Sequence, residues 1–207
     1  MLKTIRNAKG FTLVELAIVL VIIGIILGAV LKGQELINNA KIKRLYNQYR
    51  EISAAVYTYY DRYQFYPGDD RNVTARGGIW TGLTDGNGNG LITVAAAAAA
   101  ANFACTATGV EQCDLWRELR LAGIIGGDNT SFRNATHAYG GAIAVAYSTI
   151  SGLTAHLVQF QNIPSGVCQI IDIQYDDGVW NTGDIRGSAT YATATPDVLI
   201  PTFVIKF

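Results

Sequence analysis

Residues 9–31 read Lys9-Gly10-Phe11-Thr12-Leu13-Val14-Glu15-Leu16-Ala17-Ile18-Val19-Leu20-Val21-Ile22-Ile23-Gly24-Ile25-Ile26-Leu27-Gly28-Ala29-Val30-Leu31. From Phe11 to Leu31 the single charged residue is Glu15. As a helix, this run rises about 31 Å, enough to cross the hydrocarbon core of a bilayer. Lys3, Arg6 and Lys9 precede it with no acid among them, so the positive-inside rule keeps the N-terminus in the cytoplasm. A secretory signal peptide or an uncleaved signal anchor is the plain reading. Ordinary cleavage needs a small-x-small site after the run, and Gly28-Ala29 with Gly33 supplies only a weak one. A plain anchor leaves Glu15 unexplained, because a lone carboxylate in lipid costs about 3 kcal/mol and usually has a partner. Nothing else in the run pairs with it. The partner must come from outside the segment, or from a charge created by processing.

The stretch Lys9-Gly10-Phe11-Thr12-Leu13-Val14-Glu15-Leu16 resembles the class III signal of type IV prepilins and type II secretion pseudopilins. A short basic leader, Gly, Phe and an early Glu are joined directly to a hydrophobic run. The resemblance is carried by about residues 5–35; the rest of the chain matches only in layout. It implies cleavage after Gly10 by a prepilin peptidase, an inner-membrane aspartic peptidase acting on the cytoplasmic side. It also implies N-methylation of the new Phe11 amine, which keeps its positive charge. The glutamate matched by Glu15 neutralises the N-terminal amine of a neighbouring subunit during assembly, and a buried pair is far better than either buried charge alone. The implied partners are other pilins or pseudopilins in a helical filament, membrane lipid, and an inner-membrane platform protein with its assembly ATPase. The implied location is the inner membrane, single-pass, with the N-terminus cytoplasmic and the body periplasmic, or a cell-surface filament for a pilin. Lys32 stands where many major pilins and major pseudopilins have Pro, which leaves a minor subunit open.

Gly24 and Gly28 form a GxxxG pair, read either as a site of close helix approach or as ordinary membrane-helix glycines. With Gly33 they make residues 24–33 a weak stretch, since each Gly costs a helix about 1 kcal/mol relative to Ala.

Charge outside the apolar run is unevenly placed. Residues 32–50 carry the bases Lys32, Lys41, Lys43, Arg44 and Arg50 against the acid Glu35, whereas residues 51–207 hold 8 bases and 14 acids. The whole chain of 207 residues balances 16 bases with 16 acids, is 50% hydrophobic and 15% charged. That excludes a disordered polar chain and argues against a strongly basic nucleic-acid binder. With 3 Cys it is not a disulfide-built scaffold.

From Ile42 the apolar residues Ile42, Leu45, Tyr49, Ile52, Val56, Tyr59 and Tyr63 recur at alternating steps of three and four, one face of a helix. No Pro interrupts residues 11–66. One helix is expected from Phe11 to Tyr63, its second half the spine of a body, stopped by Tyr66-Pro67-Gly68-Asp69-Asp70. Tyr46, Tyr57 and Tyr60 lie off the stripe, either touching other subunits or packing under loops. Loop is expected to Gly90, then a short helix or low-complexity insert over Val94–Ala101, and a helix from Glu111 or Asp114 to Leu121 ended by Gly123. Strands are expected over Gly140–Ile150 and Leu153–Phe160, joined through Ser151-Gly152, and over Val198–Phe207, with Pro201 pointing to an edge. Pro164–Tyr175 is ambiguous and leans to helix. The fold class is therefore α+β, a long helix on a small antiparallel sheet with irregular loops, which is also the pilin-like layout the resemblance implies. The segments are a leader (1–10), a transmembrane and assembly helix (11–31), its amphipathic continuation (32–64) and a globular domain (65–207).

The body offers two candidate sites. Asp85, Asn87 and Asn89 with Gly90 match the first half of a Ca²⁺-binding loop, lacking its closing acid, which Asp69, Asp70 or Glu111 would have to supply. Structural calcium is the one cofactor so indicated; a metal-free Gly/Asn turn is the alternative. Cys105 and Cys113 lie in a loop on the oxidising side of the membrane and are a candidate disulfide, with pairing of Cys168 to either the alternative. His137 and His156 sit in no metal-spacing motif. Asp172, Asp176, Asp177 and Asp184 read as a solvated acidic turn, with pairing to Arg186 or a second cation site as alternatives. No phosphate loop, nucleophile–base set or zinc signature is present, so an enzyme is the weakest class. A filament-tip adhesin or substrate-binding minor subunit is the second reading, motivated by Trp80 and Trp180.

Overall fold

The computed structural model describes Gly10 and residues 12–93, 98–191 and 198–207. Phe11, and residues 94–97 of the stretch expected to be a short helix or low-complexity insert, lie outside the described residues; residues 98–101 have no regular secondary structure. The elements are α1 (Leu13–Tyr63), single-turn 3-10 helices Thr74–Arg76 and Gly78–Trp80, α2 (Glu111–Leu121), β1 (Ile143–Ile150), β2 (Leu153–Pro164), α3 (Ser165–Tyr175), β3 (Ile185–Gly187) and β4 (Leu199–Lys206). The contacts divide the chain into two units, Met1–Lys41 and Ile42–Phe207, and α1 contributes to both.

In the first unit every apolar side chain of α1 from Leu13 to Leu31 is exposed. In the second, α1 buries Ile42, Leu45, Ile52, Ala55, Val56 and Tyr59, the expected stripe, with Tyr49 and Tyr63 half-buried at its margin. Each fully buried Leu, Ile or Val contributes about 1.5–3 kcal/mol. The stripe joins a core shared with Leu115, Trp116 and Leu119 of α2, Ile143 and Val145 of β1, Phe160 of β2 and Phe203 of β4. Tyr46 stacks on Tyr175, ring centroids 3.5 Å apart, so this off-stripe tyrosine packs within the chain; Tyr57 and Tyr60 stay exposed.

The helix ends at Tyr63 because Gln64 adopts a left-handed φ of 62°. Gly68, immediately before Asp69 and Asp70, has φ 87°, and a Cβ there would lie 2.0 Å from the Glu111 carbonyl oxygen. Only glycine brings this turn so close to the start of α2. The expected loop after it contains the two 3-10 turns, held by a polar hub. Arg76 pairs with Asp70 and lies over the rings of Tyr63 (4.2 Å) and Trp80 (4.9 Å), while the Tyr59 hydroxyl donates to Asp70 at 2.9 Å. Trp80 is accordingly buried, and Trp180 is partly buried against the core.

The sheet is antiparallel, in the order β1-β2-β4-β3. Ser151 and Gly152 both take positive φ (48° and 81°), the turn whose twist matches a two-residue hairpin, and Ile150 faces Leu153 across it. Two expectations change here. β4 is an interior strand, not an edge; Pro201 is accommodated because the ladder with β2 skips Asn162, whose φ is 56°, and β3 pairs only as far as Gly187 opposite Phe203. β3 itself was unforeseen, being three residues long and polar at Arg186. α3 packs against β2, β3 and β4, so the ambiguous segment is a helix.

Candidate functional site

The local chemistry of the N-terminus begins at Thr12, which caps α1. Its Oγ1 accepts the Glu15 backbone N–H at 3.2 Å, while Glu15 Oε2 accepts the Thr12 backbone N–H and hydroxyl, both at 2.8 Å. This reciprocal pair is a capping box, Thr-x-x-Glu, which satisfies helix N–H groups that have no intrahelical acceptor. It also places a carboxylate at the positive end of the helix dipole. The expectation that nothing nearby pairs with Glu15 is thereby corrected: Thr12 supplies two donors. Thr12 does not supply a positive charge. Gly10, two residues before the cap, is exposed, with open space around its Cα; Phe11 lies outside the described residues.

Beyond the cap, α1 is unbroken through Gly24, Gly28, Lys32 and Gly33. A Cβ added at Gly24 or Gly28 meets nothing within 4 Å. No contact among the described residues therefore requires glycine at either position. Lys32 pairs with Glu35 on the surface at 2.7 Å, and both remain exposed.

In the body, Cys105 and Cys113 form a disulfide with Cα atoms 5.2 Å apart; Cys168 is buried outside it. The bridge ties the approach to α2 to its first turn.

The loop carrying Asp85, Asn87 and Asn89 is organised around carboxylates as acceptors. Asp69 accepts the N–H groups of Asn89 (3.0 Å) and Gly90 (2.7 Å) on its side chain and that of Gly88 (3.1 Å) on its carbonyl. Glu111 accepts those of Asn87 (3.1 Å) and Thr93 (2.8 Å). The expected ligand oxygens are occupied by donors too: Asp85 by Thr74, Asn87 by the Asn89 N–H, Asn89 by the Leu91 N–H. The loop's N–H groups face inward to form a nest for anions, here supplied by the protein's own side chains. A calcium loop turns its oxygens inward. Burial pushes the Asp69 carboxyl up and raises Glu111 to about 7, against its hydrogen bonds, whereas the Thr74 donors hold Asp85 down. Asp85, Asn87, Glu111 and Asp114 line a cleft of about 210 Å³.

The histidines are structural. His137 is buried with Nε2 2.8 Å from the Gln161 carbonyl, and His156 accepts the Ile92 N–H at 3.3 Å. Burial lowers both.

Against known families, residues 5–31 match the family model described as the prokaryotic N-terminal methylation motif. The match contains the leader end, Gly10, Phe11, the Thr12–Glu15 cap and the exposed apolar run. Residues 5–31 are thus a prepilin-type signal, and the long helix on a small antiparallel sheet is consistent with a pilin-like fold. No curated protein and no solved structure matches the chain.

Proposed function

We propose that this chain is a structural subunit of a type IV pilus or type II secretion pseudopilus, cleaved after Gly10, methylated on the Phe11 amine and assembled through its hydrophobic helix. The observation that carries this reading is the joint state of α1's first unit. Its apolar side chains from Leu13 to Leu31 are all exposed, and Glu15 is held by hydrogen bonds but has no counter-charge among the described residues. An exposed apolar surface of this extent needs lipid or other helices around it. A bilayer covers the side chains while the subunit is stored. In a filament, neighbouring helices replace the lipid, and a neighbour's N-terminal amine neutralises Glu15. The prepilin peptidase, platform protein and assembly ATPase are the partners of this cycle. Gly24 and Gly28 are then positions where another helix approaches closely.

The experiment is Glu15→Val expressed in place of the wild type. The variant is processed and inserts in the membrane, but is absent from sheared filaments. Incorporation at the wild-type level overturns the role given to Glu15. The tip-adhesin reading loses its motive, because Trp80 is buried and Trp180 partly so.

A further inference from the structure

A groove opens in the body between α1, α2 and the loop that leads to β1. Gln48 and Ile52 of α1, Trp116 of α2, Ile125 and Ala135 of the loop and Ile143 of β1 line it. Its volume is about 280 Å³. Arg120, also on its wall, fixes the loop by donating to the carbonyls of Ser131 (2.7 Å) and Arg133 (2.6 Å). A Cβ at Gly127 would lie 3.0 Å from Arg120 Nε, so glycine lets the loop pass close to this guanidinium.

Two polar atoms of the side chains on these walls are buried without a partner. Trp116 is 1% exposed, and its indole Nε1–H donates to nothing among the described residues. Gln48 spends its amide nitrogen on the Thr136 carbonyl at 2.9 Å. The reverse amide orientation would set oxygen against oxygen, so the orientation is fixed. Gln48 Oε1 is left buried and accepts nothing among the described residues. A buried donor or acceptor without a hydrogen bond is costly. Here one of each belongs to the same groove.

The charged side chains at the groove are already engaged. Arg44 pairs with Glu51 at 2.7 Å, and Arg120 is spent on the two loop carbonyls. No charge is left to hold an ion, so the groove selects a neutral molecule. The remaining wall is aliphatic: Ile52, Ala135 and the isoleucines at 125 and 143. An apolar wall with a few convergent polar groups is the usual make-up of a small-molecule site, and such sites begin at roughly 300 Å³. The space therefore suits a single ring.

We propose that this groove binds a neutral phenol-class ligand, its ring against the aliphatic wall and its hydroxyl accepting from Trp116 Nε1–H and donating to Gln48 Oε1. A hydroxyl is the smallest neutral group that does both. Water does both as well, but its share of liquid volume is about 30 Å³, so one bridging water leaves most of the groove unfilled. The aliphatic wall gains by covering a hydrocarbon ring and gains nothing from water. The site lies wholly within the body and does not depend on the assembly reading.

The test is a titration of phenol into the ¹⁵N-labelled full chain in detergent micelles, read by NMR, with toluene as the matching ring that lacks the hydroxyl. The chain has 3 Trp, so each indole N–H reports separately, and Trp116→Phe identifies its own resonance by loss. Phenol shifts the Trp116 resonance saturably and toluene does not. The resonances of Trp80 and Trp180 stay in place, which accounts for phenol taken up by the micelle. Gln48→Leu, matched to wild type by circular dichroism, weakens phenol binding about fivefold, the loss of one neutral hydrogen bond. The proposal is overturned by no saturable shift of Trp116, by an equal shift with toluene, or by a shift spread over all the indoles. Unchanged affinity in Gln48→Leu overturns it too. Because the contrast of phenol with toluene is read in the wild type, the test stands even where that variant folds poorly.

Discussion

The two units of this chain treat their difficult residues in opposite ways. Up to Lys41 the described apolar side chains are outside and the acid Glu15 sits among them, with Thr12 as its donor among the described residues. From Ile42 onward the apolar side chains are inside, and so are acids: Asp69, Asp70, Glu111, Asp114 and Glu118 are all buried. Most of these carboxylates receive donors from their own chain, as Asp69 does from Asn89 and Gly90 and Glu118 from Gly68 at 2.8 Å. The body supplies donors to these buried acids from its own chain, whereas the first unit leaves both its apolar surface and the charge of Glu15 to be completed by something else.

Glycines make this contrast measurable. Gly68→Ala puts a methyl into the Glu111 backbone at a positive φ, and the body should lose about 3 kcal/mol, read as a fall in its melting midpoint. Breaking the Cys105–Cys113 bridge by paired Ser substitution should cost about 2–3 kcal/mol in the loop-entropy account. A drop below about 0.5 kcal/mol would mean that the loop is already fixed by its hydrogen bonds.

Acidity gives the next effect in size. Glu111 is raised from 4.5 to about 7, so the folded body holds this proton more tightly than the unfolded chain does. The stability it brings is fully present below about pH 4.5 and is lost as pH rises through about 7, an effect on the order of 1–3 kcal/mol. Asp69, Asp114, Asp172 and the fully buried Glu118 are raised too and act in the same direction. Glu111→Gln should flatten the decline in melting midpoint between those limits; an unchanged slope would assign it to the other acids. The smallest effect on the body belongs to the first unit. Gly28→Leu adds a side chain into open space, so the melting midpoint should not move, while incorporation into filaments falls if another helix packs there.

What could be read from the residues follows the same divide. The signal and the helix were legible because they rest on local rules: an apolar run of membrane length, a three–four spacing from Ile42, and a Gly-Phe junction with its early Glu. The hairpin at Ser151-Gly152 and the helix after Val110 were legible for the same reason, a turn pair in one case and an acid-rich start in the other. Contacts between residues distant in the chain were not legible. Nothing local announces that Asp69 is enclosed by the N–H groups of residues 88–90, or that Arg76 sits between Asp70 and two aromatic rings. The motif Asp85-Gly86-Asn87-Gly88-Asn89-Gly90 carries the residue types of a cation loop, and its backbone turns the opposite way because buried carboxylates on α2 and before Arg71 attract its N–H groups. Thr12-x-x-Glu15 also carries the ordinary helix-start signal, which the membrane reading of Glu15 does not use. β3 had no signal at all: three residues pair only because β4 offers them an edge.

The measurement that bears most directly on the central claim is the intact mass of this protein from two fractions, filaments sheared from cells and the inner membrane. The account predicts a chain beginning at a methylated Phe11. Its abundance in sheared filaments assigns a pilus subunit, and its confinement to the membrane assigns a pseudopilus or minor subunit. A chain still beginning at Met1 in both fractions would contradict the account and leave a membrane-anchored domain.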